Sequence, residues 1–230
     1  MLQLDNIQVQ QGSFTLSADI SFPSGVTALL GPSGAGKSTL LNVIAGFVPL
    51  QRGAVRWQDK AITDLLPAQR PIAMLFQDNN LFAHLTVSQN LALALTRKTP
   101  TEAQRAQMAA ALRRVDLEGL VNRKPAALSG GQQSRVALAR VLLQARPLML
   151  LDEPFAALGP ALKREMLDLV ADVARETGMM VLMVSHDPED AQRISAHASV
   201  VADGTVSPPA PTDALLSTPP PALARYLGAP

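Results

Sequence analysis

Apolar and polar positions divide this chain into short strands and longer helices. Residues 1–30 follow the rhythm of strands, interrupted by turn residues at Gln11-Gly12-Ser13 and Pro23-Ser24-Gly25. Four apolar runs are nearly unbroken: Val26–Leu30, Pro71–Phe76, Leu148–Leu151 and Val181–Val184. Such runs suit parallel strands buried on both faces. Between the last two, Pro160–Thr177 places Leu162, Met166, Leu169, Val170 and Val173 on one helical face, and Gly178 closes the helix. Thr99-Pro100-Thr101-Glu102 reads as a capping box with proline at the first helical position, opening an Ala-rich helix to about Val115. Strands alternating with helices predict an α/β fold with a mostly parallel sheet covered on both faces. From Ser207 onward the many prolines, among them Pro208, Pro209, Pro211, Pro219, Pro220 and Pro221, predict a poorly ordered tail around a short helix.

Composition narrows the chemistry. The 230 residues are 47% hydrophobic, enough for a sizeable core, and only 17% charged, which hints at surface covered by partners. The absence of cysteine excludes disulfides and thiolate metal sites. A net charge of +1 and 3% aromatics give no footprint for nucleic acid. The start, Met1–Asp5, does not read as a signal peptide, and no apolar run approaches the ~18 residues a membrane span requires.

The stretch Gly31-Pro32-Ser33-Gly34-Ala35-Gly36-Lys37-Ser38 specifies a phosphate cradle. Glycines let successive backbone N–H groups turn inward around an anion. Lys37 can reach the β- and γ-phosphates, and the Ser38 hydroxyl can ligate Mg²⁺. The strand Val26–Leu30 leads in, and a helix over Ser38–Ala45, which includes Thr39, leads out, so its positive end faces the phosphates. These residues imply a nucleoside triphosphate ligand.

A second pentapeptide, Leu128-Ser129-Gly130-Gly131-Gln132, separates the chain from other phosphate-loop proteins. Ser129 and Gln132 form a capping box for a helix running to about Ala145. Gly130 and Gly131 leave room for a phosphate at that helix end. One chain with one phosphate loop does not need a second such terminus, so the economical reading is a nucleotide held by a second copy.

With both motifs, the chain resembles the ATP-binding cassette family, whose signature is this pentapeptide. The resemblance covers about residues 1–206 and implies a P-loop NTPase core, an antiparallel β subdomain and a helical subdomain at about 78–145, followed by the tail 207–230. Leu148–Leu151 with Asp152-Glu153 resembles the family's Walker B strand, which implies that Asp152 helps hold Mg²⁺ and that Glu153 polarises the attacking water. Gln77 resembles the Q-loop glutamine that senses metal and water. His186 resembles the switch histidine at the γ-phosphate, and Asp187 after it is placed to cap the next helix. His84 and His197 have no such context.

Two positions depart from the family pattern. Where an aromatic residue normally stacks on adenine, this chain has Gln11, with Phe14 the nearest ring; and Ala156-Ala157-Leu158-Gly159 lacks the Asp that usually ends this loop.

The length and the single cassette resemble the free-standing ATPase subunits of bacterial importers. The segment Met74–Val87 is similar to the corresponding stretch in thiamine importers, while iron, sulfate and polyamine importers remain alternatives. The resemblance implies ATP and Mg²⁺ as cofactors and a homodimer on the cytoplasmic face of the inner membrane. It also implies permease subunits and, through them, a periplasmic solute-binding protein. Three other classes compete. A DNA-maintenance ATPase would need sustained heptads between Lys37 and Ser129, which are absent. A small-molecule kinase has no use for the signature, and a non-hydrolysing cassette has no use for Glu153 and His186.

Overall fold

The computed structural model describes residues 1–228. It opens with β1 (Leu2–Gln11) and β2 (Phe14–Phe22), followed by β3 (Val26–Leu30), α1 (Lys37–Ala45), β4 (Arg52–Trp57) and β5 (Lys60–Ala61). Next come β6 (Ile72–Leu75), the helices α2 (Val87–Ala92), α3 (Glu102–Arg114) and α4 (Gly130–Leu143), and then β7 (Leu148–Asp152). The chain continues through α5 (Pro160–Thr177), β8 (Met180–Val184), α6 (Pro188–Ile194), β9 (His197–Ala202) and β10 (Thr205–Val206). It ends with β11 (Ala210–Pro211), α7 (Thr212–Ser217) and α8 (Pro221–Leu227).

The strands β9-β3-β8-β7-β6 pair in parallel, whereas β5-β4-β1-β2 form an antiparallel wing joined to them through β10. In β1 the buried positions Leu2 and Leu4 are followed by Ile7 and Val9, one residue out of phase. A bulge restores the face: the register shifts between Leu4 and Ile7, and Asn6 has φ +49°.

The parallel strands are covered on both sides, as their unbroken apolar runs require. Leu148 and Leu150 of β7 pack in one cluster with Leu40, Leu41 and Ile44 of α1. The alternate residues Met149 and Leu151 pack in another with Met166 and Val170 of α5 and with Leu138 of α4. Residues of α2, α3 and α4 enclose a third cluster around Leu91, Leu112 and Val136. The signature helix α4 thus belongs to both the sheet's core and the helical one.

Two expectations need correction. The box read at Thr99–Glu102 forms two residues later: Thr101 accepts from the Gln104 backbone and Gln104 bonds back to it. The amide of Thr101 is bonded by the Gln104 side chain and its hydroxyl accepts from the Gln104 N–H, so Glu102 becomes the first helical residue instead of closing the box. The tail read as poorly ordered around one short helix is β11 paired on β9, followed by α7 and α8. Its prolines start elements rather than break them, Pro221 standing at the first turn of α8. The fully buried Leu223 of α8 joins Ala28 and Leu30 of β3 in a fourth cluster.

Leu223→Ala is therefore expected to lower the unfolding free energy by about 2–5 kcal/mol in urea titration. Native-like stability would mean that α8 does not cover β3.

Candidate functional site

Register builds the site. Leu29 of β3 pairs with Val184 of β8, Val184 pairs with Asp152 of β7, and Leu151 pairs with Leu75 of β6. Four strands therefore end level, and the segments leaving them open onto one edge. From β3 comes the loop Gly31–Gly36, from β7 Asp152-Glu153, from β8 Ser185-His186, and from β6 Phe76-Gln77. Strand ends of a parallel sheet are where ligands bind in α/β proteins.

The loop Gly31-Pro32-Ser33-Gly34-Ala35-Gly36 closes on the α1 terminus. Gly36 caps α1 at φ +101°, and the Phe14 ring fills the space that a Cβ there would need. At Gly31, with φ +146°, the Val201 carbonyl stands where a Cβ would. Side chains are thus excluded at these two positions for both backbone and packing reasons.

Lys37 is buried, and its Nζ donates to the carbonyls of Gly31 (2.7 Å) and Pro32 (2.9 Å). Burial lowers its pKa, opposed by the charges of Glu153 and Asp152. The Ser38 hydroxyl donates to Asp152 Oδ1 at 3.0 Å. Burial raises the Asp152 pKa; the Ser38 bond works against this and the Glu153 charge adds to it. Thr39 Oγ1 donates to Gln11 Oε1 at 3.3 Å, so the residue standing in place of an aromatic is bonded to α1.

Glu153 has φ +45°, a left-handed conformation uncommon for a side chain of its size, and its N–H donates to the Val184 carbonyl. The bend brings Glu153 Oε2 to 3.4 Å from His186 Nδ1. His186 is half-exposed, and Gln77 is exposed just beyond β6. Asp187 caps α6 by accepting from the Glu189 backbone at 3.0 Å. It also accepts from Lys163 Nζ at 2.7 Å. Burial opposes its ionisation, but these two bonds outweigh that and bring its pKa down.

The signature residues open helix α4. Ser129 accepts from the Gln132 backbone and Gln132 bonds back to Ser129, as the capping box requires. Gly130 and Ser129 are exposed, while Gly131 faces Leu162 of α5. The terminus is open to solvent, and Leu128 beside it packs in the helical cluster.

Side-chain bonds join the two regions. Arg140 of α4 donates to the carbonyls of Asn80 (2.7 Å) and Asn79 (3.1 Å), and Asn79 Nδ2 donates to Ser134 Oγ at 3.2 Å. The segment after Gln77 is therefore fastened to the signature helix. Sequence reasoning missed these residues. It also missed Lys163, which bridges Asp187 and Asp190 at 2.7 Å each. Arg140, Ser134 and Lys163 lie in helices far along the chain from their partners, and no local pattern marks them.

The arrangement is a glycine-rich loop and a buried lysine beside two carboxylates and a histidine. Residues 15–156 match the family model described as ABC transporter. The chain is 58% identical over 233 residues to the thiamine import ATP-binding protein ThiQ of Ruegeria sp. (strain TM1040), covering 100% of both. It is 55% identical over 230 residues to the protein of that name from Cereibacter sphaeroides, covering 99% of this chain and 100% of the other. Its fold matches the dimeric post-hydrolysis state of the ATP-binding cassette MJ0796 bound to ADP and Pi, with TM-score 0.79, 29% identity, and coverage of 92% of this chain and 99% of that one. The chain belongs to the ABC transporter family and is one of its ATPases.

Proposed function

We propose that this chain is the motor subunit of a thiamine or thiamine pyrophosphate importer. Two copies would close head to tail around two ATP, each nucleotide lying between the Lys37 loop of one copy and the Ser129 helix of the other. The observation that carries this is the open signature terminus. It is capped and exposed, and among the described residues no hydrogen bond joins it to the loop 31–36. A second copy gives it a phosphate to meet. The full-length identity with thiamine import proteins supports the substrate.

Within each site the backbone N–H groups of Ser33–Thr39 bind the phosphate oxygens, along the loop and helix start that Gly31 and Pro32 lead into. Lys37 exchanges its two carbonyl partners for the β- and γ-phosphates. Glu153 accepts a proton from the attacking water as oxygen bonds to the γ-phosphorus and the phosphoanhydride electrons leave with ADP. His186 and Gln77 hold the γ-phosphate and the water. Ser38 Oγ and Asp152 Oδ1, 3.0 Å apart, are hard oxygen donors that suit Mg²⁺. Among the described residues no group of three His, Cys, Asp or Glu could hold a metal, and none is needed, since this ion keeps waters and phosphate oxygens. When bound, Mg²⁺ neutralises charge on the phosphates.

The helical segment 78–145 is proposed to move as a lobe and to meet the permease. A groove of about 770 Å³ between this segment and the sheet is lined by Phe76, Leu81, Phe82, Leu93, Arg140 and Arg146. Phe82 and Leu93 are 48% and 45% exposed. Among the described residues no helix is long and apolar enough to cross a membrane. Attachment at the cytoplasmic face would therefore run through the permease, and contact with a periplasmic solute-binding protein through it in turn.

Glu153→Gln is expected to cut ATP turnover by about a hundredfold or more while trapping an ATP-bound dimer on size exclusion. A variant that stays monomeric with ATP counts against the head-to-tail sandwich. Lys37→Ala is expected to weaken ATP binding by about tenfold to a hundredfold in nucleotide titration. Cells lacking the chain are expected to lose uptake of radiolabelled thiamine but not of iron, sulfate or spermidine; loss of one of these others would reassign the substrate.

Asp152 offers a stability test of its buried charge. Its folded-state pKa is raised by burial, so its ionised form destabilises the fold. Asp152→Asn is expected to melt higher than the native chain, without nucleotide, at pH above that raised pKa. The difference should vanish as pH falls through the raised pKa and the native carboxylate takes up its proton.

A further inference from the structure

We propose that Tyr226, in the C-terminal helix α8, is a positioning residue that sets the placement of His186 through a bond to its backbone. The Tyr226 hydroxyl donates to the His186 carbonyl at 2.5 Å, joining residues 40 positions apart. The inference rests on the role given to His186 above.

The three-residue link between β8 and α6, Ser185-His186-Asp187, is held firmly at its two flanks. Ser185 Oγ donates to Asp190 Oδ2 at 2.5 Å, and Asp187 N–H donates to Ser185 Oγ at 3.1 Å. Lys163 binds both Asp187 and Asp190. His186 lies between these anchors with its side chain 52% exposed, so packing does little to fix the imidazole. Its direction follows from the orientation of its own peptide, and the Tyr226 bond acts on that peptide. A small rotation there would move Nδ1 away from Glu153 Oε2, now 3.4 Å distant.

The anchor for this bond is rigid. Leu223, one turn before Tyr226, is fully buried among Ala28 and Leu30 of β3, Ala191 of α6, and Ala198 and Val200 of β9. Leu30 immediately precedes the phosphate loop, and α6 immediately follows the histidine link. Helix α8 thus bridges the element entering the nucleotide cradle and the one leaving the switch. Burial, and then the nearby charges of Glu153 and Asp187, raise the Tyr226 pKa, which favours the protonated, donating hydroxyl.

The test is Tyr226→Phe in the full-length chain, which deletes the hydroxyl and keeps the ring. The kcat for ATP is expected to fall about threefold to tenfold, with KM and ATP affinity held within about twofold and the melting temperature within a few degrees. An unchanged kcat overturns the proposal. So does a loss of kcat accompanied by a comparable loss of ATP affinity or by a large drop in melting temperature, since either marks a packing role. His186→Ala in the same assay separates this inference from the one beneath it. If His186→Ala turns over normally, the role of His186 itself fails. If it is inactive while Tyr226→Phe matches the native chain, only the positioning role fails.

Discussion

The parallel register of β3, β8, β7 and β6 is the constraint from which the site follows. Asp152 pairs with Val184 and Val184 with Leu29, so Gly31, Glu153 and His186 emerge at one level of one sheet. A slip of one residue in β7 would turn Asp152 to the opposite face and carry Leu151 into its place. The alternate residues of β7 pack against α1 on one side and against α4 and α5 on the other, so such a slip would expose both clusters to misfit. Hydrophobic packing that looks purely structural is what aligns the chemistry.

The polar groups at this edge are held in states that the fold alone would not favour. Lys37 is buried with its pKa pushed down, and Asp152 with its pKa pushed up. Each is relieved in part by the other's charge and by local donors and acceptors, Lys37 by two loop carbonyls and Asp152 by Ser38. A phosphate group supplies Lys37 with better partners than neutral carbonyls, and a cation does the same for Asp152. The strained backbone of Glu153 belongs to the same pattern, because the left-handed turn is what aims its carboxylate at His186. In the proposed site, ligand binding would recover stability given up at these residues.

How much of this was legible in the sequence depends on the range over which each feature is encoded. The phosphate loop, the Ser129–Gln132 box and α5 from Pro160 to Gly178 are local patterns, and the structure reproduces their boundaries closely. The start of α3 was misread by two residues because Thr99 and Thr101 offer equivalent capping side chains, and the deciding partner, Gln104, lies beyond the window that Glu102 seemed to complete. The tail was misread because proline frequency suggests disorder, whereas its order depends on Leu223 reaching β3, almost two hundred residues away in sequence. Lys163, Arg140 and Tyr226 were invisible for the same reason. Each acts on a backbone or side-chain group that only the fold brings near.

Departures from the family pattern acquire a physical meaning from their neighbours. Gln11 does not merely lack a ring: its side chain is engaged by Thr39 on the helix that follows the phosphate loop, while the Phe14 ring is spent packing on Gly36. The antiparallel wing therefore supports the loop mechanically instead of presenting a free aromatic face above it. At Gly159 the missing carboxylate leaves the start of α5 without a side-chain cap, and Pro160 supplies the helical φ in its place. In the proposed sandwich, a chain without a stacking ring at Gln11 or a carboxylate at Gly159 would hold its nucleotide chiefly through the phosphates. The groups proposed to do so, backbone amides, Lys37 and the Ser129 terminus, suit phosphate rather than base. The forces closing the proposed dimer would accordingly centre on the triphosphate, and hydrolysis of its last bond would remove the group shared by the two copies.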